Sequence, residues 1–170
     1  MDIFAHALWT NALYKKIQPK RRRWRDIGEI IFWSNFPDFF SFGIVFLLNI
    51  FRLEPIWRDE EYYIRHLPQW FYLVHGIVYS IPIFFVVFAL AWFIAKKPYL
   101  FMGGWLIHIV IDIFTHKTFF APRFLWPFSD LHLEVISWAE PKFMLANYGA
   151  LAVIYGTWLF SAHKKKASAL

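Results

Sequence analysis

The sequence predicts an all-α protein. It reads as an integral membrane helical bundle of about four transmembrane helices, preceded by a short N-terminal amphipathic or re-entrant helix, in one domain over residues 1–170. Three observations carry this expectation. Hydrophobic residues make up 59% of the 170 and aromatics 23%, with 21 Phe and 10 Trp, while charged residues reach only 18%. Soluble domains run near ~25% charged, and one small core would struggle to hide so much apolar surface. Several apolar runs reach the ~20 residues that a helix needs to cross a bilayer. The net charge of +6 comes from clustered basic residues, as in loops on the cytoplasmic side of a membrane.

Residues 1–14 (MDIFAHALWTNALY) are too short to span and read as the amphipathic or re-entrant helix. No basic segment precedes them, so they do not read as a cleaved signal peptide. A basic loop follows, with Lys15, Lys16, Lys20, Arg21, Arg22, Arg23 and Arg25. Residues 27–51 form the first span. It is interrupted by Asn35, Pro37 and Asp38, and the missing N–H of Pro37 predicts two half-helices or a kink. Residues 52–70 are polar and mixed in charge. Residues 71–95 are the clearest span, with Pro82 as a possible kink, and Lys96-Lys97-Pro98 ends it. Residues 99–116 form the third span, in which Gly103-Gly104 would let another helix approach closely. Residues 117–142 are a long loop. Residues 143–162 are the last span, closed by Lys164, Lys165 and Lys166. The basic loop, Lys96-Lys97 and the basic tail then share one side. This gives an inner (plasma) membrane protein, multi-pass, with both termini cytoplasmic.

The chemistry concentrates in WLIHIVIDIFTH, residues 105–116. His108, Asp112 and His116 stand at i, i+4 and i+8, one helical face with successive residues ~5.4–6 Å apart. An ionisable group inside a span costs roughly 2.5–3.5 kcal/mol on insertion scales and is tolerated when it pairs, lines a wet cavity or binds an ion. The stripe is therefore either helix glue or part of a divalent-metal site. Asp38, at the break of the first span, is either an N-cap or a carboxylate ligand. His75 and His6 fall at depths compatible with the same site. Glu134 and Asp130, after the Trp126-Pro127-Phe128 turn, could reach its outer mouth as acid or base. His66, His132 and His163 lie in loops or the tail, where a solvated histidine is the default. The chain has no cysteine, so any metal is held by His and carboxylate.

Taken in order, FAHAL with His6, Pro37-Asp38, HGIVYS with His75 and Ser80, HIVIDIFTH, and Leu125-Trp126-Pro127 resemble the bacterial inner-membrane family called membrane-bound metal-dependent hydrolases. The resemblance covers roughly residues 1–130, and His108-x-x-x-Asp112 with the later Trp-Pro is its most specific part. That family is distantly similar to the all-α zinc-dependent phospholipase C and single-strand nuclease fold. The resemblance implies a Zn2+-type site and phosphoester hydrolysis. Phe39-Phe40 stand where the family usually carries a second acidic residue after Pro-Asp.

The expected function is thus a metal-dependent hydrolase acting on a phosphoester or lipid-like substrate through an activated water. Its expected partners are membrane lipid and a small-molecule or lipid substrate. His6, Asp38, His75, His108, Asp112 and His116 are the candidate metal ligands. Asp112 and Glu134 are the candidate catalytic groups. The competing reading is a non-enzymatic membrane protein whose His/Asp stripe is a relay or a structural seam. The run from Pro98 to Ile107 has no ionisable side chain except Tyr99, which favours a one-sided pocket over a through-path. Nucleic-acid binding through Lys20–Arg25 is not expected, since the topology already explains that cluster.

Overall fold

The computed structural model describes residues 1–18, 23–52 and 67–167. Lys20, Arg21 and Arg22 of the basic loop lie outside the described residues, as do Glu54, Arg58, Asp59, Glu60, Glu61, Arg65 and His66 of the second loop. The described residues are helical, with no strand. The helices are α1 (Ile3–Ile17), α2 (Trp24–Ser34), α3 (Phe36–Phe40), α4 (Phe42–Arg52), α5 (Gln69–Val78), α6 (Ile81–Ala95), α7 (Gly103–Thr115) and α8 (Pro141–Ala167).

Among the described residues, only α8 is by itself long and apolar enough to cross a membrane. The first two predicted spans are each broken. The α2 axis and the helical stretch Phe36–Leu48 meet at 59°, and α5 meets α6 at 64°. Taken together, each bent pair passes the same length and composition test, while Leu100–Thr115 is a shorter apolar helix. The first break falls where Pro37 predicts it. Asn35 Nδ2 turns back to the carbonyl of Ile31 at 2.9 Å, and Ser41 Oγ donates to the Pro37 carbonyl at 2.6 Å, so side chains take up acceptors near the breaks. The second break comes at Tyr79–Ser80, ahead of Pro82. Ser80 caps α6 by accepting from Ile83 N–H at 3.1 Å, and Pro82 sits in the first turn, where its missing N–H costs nothing. The run 71–95 is therefore two helices bent by 64° at Tyr79–Ser80 and not one continuous helix.

α7 presents two faces to the rest of the molecule. Trp105, Ile109 and Ile113, at i, i+4 and i+8, bury against Phe84 and Met102. Trp105 also donates Nε1–H to the Val78 carbonyl at 2.5 Å, which takes up an acceptor at the end of α5. Gly104, His108 and Asp112 form the neighbouring stripe. A Cβ on Gly104 would stand 3.0 Å from Ser34 N and 3.1 Å from the carbonyl carbon of Trp33. Only glycine lets α7 lie this close to α2, and the obstacle is backbone that no rotamer change can move. Gly104→Ala should therefore lower stability by about 1–3 kcal/mol, the usual cost of overpacking, seen as a lower melting temperature in detergent. An unchanged melting temperature would contradict this contact.

α8 is held to α1 by side-chain hydrogen bonds. Trp9 Nε1 donates to Asn147 at 2.8 Å, Asn11 donates to the Tyr155 hydroxyl at 2.7 Å, and Tyr155 donates to the Leu8 carbonyl at 3.0 Å. Polar pairs of this kind join helices where an apolar solvent removes the hydrophobic drive. The outer faces are correspondingly greasy: Phe85, Val86, Leu90, Phe93 and Ile94 on α6 and Leu145, Val153, Leu159 and Phe160 on α8 are all exposed. Apolar surface of this extent marks a surface for contact with a membrane or another protein.

Candidate metal centre

Three helices, α1, α3 and α7, deliver side chains to one buried point. α1 begins one residue after Asp2, whose carboxylate accepts from Phe4 N–H and Ala5 N–H at 3.1 and 3.0 Å and from the Tyr148 hydroxyl at 2.7 Å. This fixes the first turn of α1 and puts His6, fully buried, against α7. The His6 ring stacks on that of His108 with centroids 3.8 Å apart and planes 20° apart. His6 Nε2 lies 3.0 Å from Asp112 Oδ1. α3 carries Asp38 in its first turn, and Asp38 Oδ1 stands 3.7 Å from His108 Nε2. His108 Nε2 is in turn 3.0 Å from Asp112 Oδ2. His6, Asp38 and His108 each offer a ligand atom within 4.8 Å of the other two.

Hydrogen bonding decides which face of His108 is available. Its Nδ1 lies 2.6 Å from the Ser34 carbonyl, an oxygen that can only accept. Nδ1 therefore carries a proton, and Nε2 points into the cluster. A histidine anchored this way through its far nitrogen is what metal sites require, because the anchor sets both tautomer and ring direction. The close approach at Gly104, one turn before His108, brings the Ser34 carbonyl within reach.

Three buried atoms at this point have no hydrogen-bond partner: His6 Nδ1, His6 Nε2 and Asp112 Oδ2. The short His6–Asp112 and His108–Asp112 contacts are thus near approaches without the direction of a hydrogen bond. Two ligands of one tetrahedral zinc, each ~2.0–2.2 Å from it, lie about 3.3 Å apart. The 3.0, 3.0 and 3.7 Å separations bracket that value. Orphaned buried polar atoms ordinarily cost about 1–3 kcal/mol each, so this cluster suits a bound cation. The donor set, imidazole and carboxylate without thiolate, also fits zinc.

Asp112 is the hub. Its Oδ1 also meets His116 Nδ1 at 3.2 Å and Thr115 Oγ1 at 3.2 Å, and it accepts from the amino group of Met1. His116 has left the helix: it caps α7 in extended conformation, yet still reaches Asp112, with its side chain 13% exposed. Asp38 is no N-cap. Its Oδ1 accepts from the Tyr79 hydroxyl at 2.6 Å.

The remaining candidates stand apart. His75 stacks on Tyr79 with centroids 4.4 Å apart and packs near Phe71 and Phe42, so the Tyr79 ring lies between it and the cluster. Glu134 accepts from Thr118 N–H at 3.1 Å and sits 3.9 Å from His132, half exposed. No described contact links it to the centre. Asp130 pairs with Arg123 at 3.0 Å near the surface, and His163 is exposed on α8. Ser80, apart from capping α6, donates to the Trp126 carbonyl at 2.5 Å. The Trp126 ring packs over Gly76, where a Cβ would come within 3.2 Å of it. The HGIVYS and Leu-Trp-Pro segments are thus joined in space as scaffold.

Besides the Met1 amino group and Thr115 on Asp112, two further participants were not anticipated from the sequence. Tyr79, 2% exposed, bonds Asp38 and lies 3.4 Å from His108 Nε2. It is i+4 from His75, a spacing that could have flagged it. The Ser34 carbonyl is a backbone group and leaves no mark in the residue types. Comparison with family models, curated proteins and solved structures finds no match for the chain.

Proposed function

We propose that this protein is a membrane-embedded, metal-dependent hydrolase acting on a phosphoester or lipid-like substrate. The observation that carries the reading is the buried convergence of His6, Asp38, His108 and Asp112 from three separate helices, with His108 anchored through Nδ1 and the orphaned atoms facing one another. A divalent ion held there, zinc by its donor set, supplies Lewis-acid activation of a water and of a phosphoryl oxygen. His6 and His108 present imidazole nitrogens to it, Asp38 and Asp112 present carboxylates, and His116 closes the outer side. Asp112 also stands within 3.0–3.2 Å of the three imidazoles through its two oxygens. Helix packing excludes bulk water from the cluster, which strengthens every electrostatic interaction inside it. Glu134 has no part in this arrangement.

The same reading takes each bent helix pair as one broken span, with its break at the site, beside the α7 and α8 spans. Irregular backbone at membrane depth is tolerated where it is buried in protein or lines a cavity, and both breaks lie against the cluster. The C-terminus is then cytoplasmic, whereas the amino group of Met1 lies buried at the cluster against Asp112, not on the cytoplasmic side expected for it. A C-terminal tag should be protected from protease in intact spheroplasts; digestion there would reverse the orientation.

The hydrolase reading is tested by metal analysis of protein purified in detergent. About one to two divalent ions per chain are expected. Hydrolysis of a bis-aryl phosphodiester should be lost on treatment with 1,10-phenanthroline and restored by added Zn2+. Negligible metal together with chelator-insensitive behaviour would leave a structural polar seam as the only reading.

A further inference from the structure

Beside the metal centre lies a cavity of about 240 Å³, between α5, the turn that follows α7 and the long loop. Its polar lining is His75, Thr118, Arg123 and His132, and Phe71 and Ala121 are among its apolar walls. No carboxylate lines it among the described residues. His75 is 7% exposed and packs against the rings of Phe42, Phe71 and Tyr79. Arg123 donates Nη1–H to Asp130 at 3.0 Å and Nη2–H to the Tyr72 carbonyl at 3.4 Å, which uses two of its five N–H donors. Asp130 is 81% exposed and points to solvent, while Glu134 borders the rim, accepting from Thr118 N–H at 3.1 Å and lying 3.9 Å from His132. The exposed pair Arg123–Asp130 is weak enough to exchange for a better anion.

We propose that this cavity is an oxyanion subsite that takes a phosphoryl group. A guanidinium fork matches phosphate oxygens in a planar, two-bond fashion, and the buried His75 imidazole supplies a further donor, with the half-exposed His132 at the rim. The volume lies below the ~300–1,000 Å³ of sites for drug-sized ligands, so it suits a headgroup rather than a whole lipid. One ring separates it from the metal centre: His75 on its wall stacks on Tyr79, whose hydroxyl reaches Asp38. The choice of phosphoryl over other anions rests on the hydrolase reading; the contacts themselves do not require a metal. A phosphate held there belongs either to the substrate's headgroup or to released inorganic phosphate.

The test is phosphorus NMR line broadening on full-length protein in maltoside micelles, metal-loaded and metal-stripped, titrated with inorganic phosphate and with a short-chain phosphatidic acid. Both preparations should bind a phosphoryl group. Arg123→Gln should weaken binding about ten- to a hundredfold, the range for losing charge-assisted hydrogen bonds, with metal content unchanged. His132→Gln, at a half-exposed position that leaves folding intact, should weaken it by a smaller factor, and it carries the test if Arg123→Gln does not fold. Binding of phosphatidic acid alone means a headgroup site; binding of both probes means a site open to free phosphate. Either supports the subsite if Arg123→Gln or His132→Gln weakens it. Phosphate that is lost on metal stripping but indifferent to both substitutions sits on the metal, which overturns the subsite and leaves the hydrolase reading intact. Phosphate bound through Arg123 by a protein that never takes up metal would keep the subsite and end the hydrolase reading. No binding of either probe overturns the subsite.

Discussion

Asp112→Ala should empty the metal centre and lower hydrolysis by on the order of a thousandfold, while His116→Ala should keep most of the metal. The asymmetry follows from position. Asp112 is fully buried and lies within 3.0 to 3.2 Å of His6, His108 and His116 through its two oxygens. Removing it takes away a carboxylate and leaves His6 held only by its stacking on His108, which keeps its Ser34 anchor. Activation by a metal is worth several kcal/mol, and about 4 kcal/mol corresponds to roughly a thousandfold in rate. His116 touches only one oxygen of Asp112, lies past the end of α7, and is the one imidazole of the group open to solvent. Metal content by mass spectrometry and phosphodiesterase rate should be measured on both variants and on Asp112→Asn, which keeps the shape but not the charge. Wild-type metal content in Asp112→Ala would falsify the assignment of Asp112 as a ligand. No metal in any variant, wild type included, with Asp112→Ala simply melting earlier, would make the cluster a polar seam between helices.

How much of this could be read from the residue types differs element by element. The break at Pro37 was legible because proline removes a donor whatever surrounds it. The gap at Gly103-Gly104 was legible because small residues in an apolar helix have few other uses. The second broken span was harder. Residues 71–95 are almost continuously apolar, and Pro82 is a helix-start residue here, so the break belongs to Ser80 and to the loop that binds it. Ile81 N–H donates to the Phe124 carbonyl at 2.9 Å, and Ser80 to that of Trp126. These partners lie some 45 residues away and leave no local signal. His116 behaves likewise. The i, i+4, i+8 spacing places it on the helix, but the long loop returns and Trp138 N–H takes the Thr115 carbonyl at 2.8 Å. The helix ends through a tertiary contact, not a local breaker. His75 shows the limit of reasoning by depth: two residues at one height can face different ways, and the Tyr79 ring fills the space between His75 and the cluster.

Tyr79→Phe should leave the fold in place yet weaken metal binding about ten- to a hundredfold, the usual range for a hydrogen bond that orients a ligand. The ring is held by packing, stacked on His75 at 4.4 Å and tilted against His108 at 5.5 Å, and phenylalanine keeps both contacts. What disappears is the hydroxyl that donates to Asp38 Oδ1 at 2.6 Å. Asp38 is the most exposed of the three residues that share a 4.8 Å neighbourhood, and its side chain is 18% exposed. Without Tyr79 its carboxylate is free to turn toward solvent, and the entropy of holding it falls on the metal. Competition against a chromogenic chelator gives the dissociation constant, and a melting curve gives the stability. A shift in affinity with little change in melting temperature identifies a positioning role. A matched loss of both would make Tyr79 a packing residue only, and an affinity within about twofold of wild type would remove Asp38 from the ligand set.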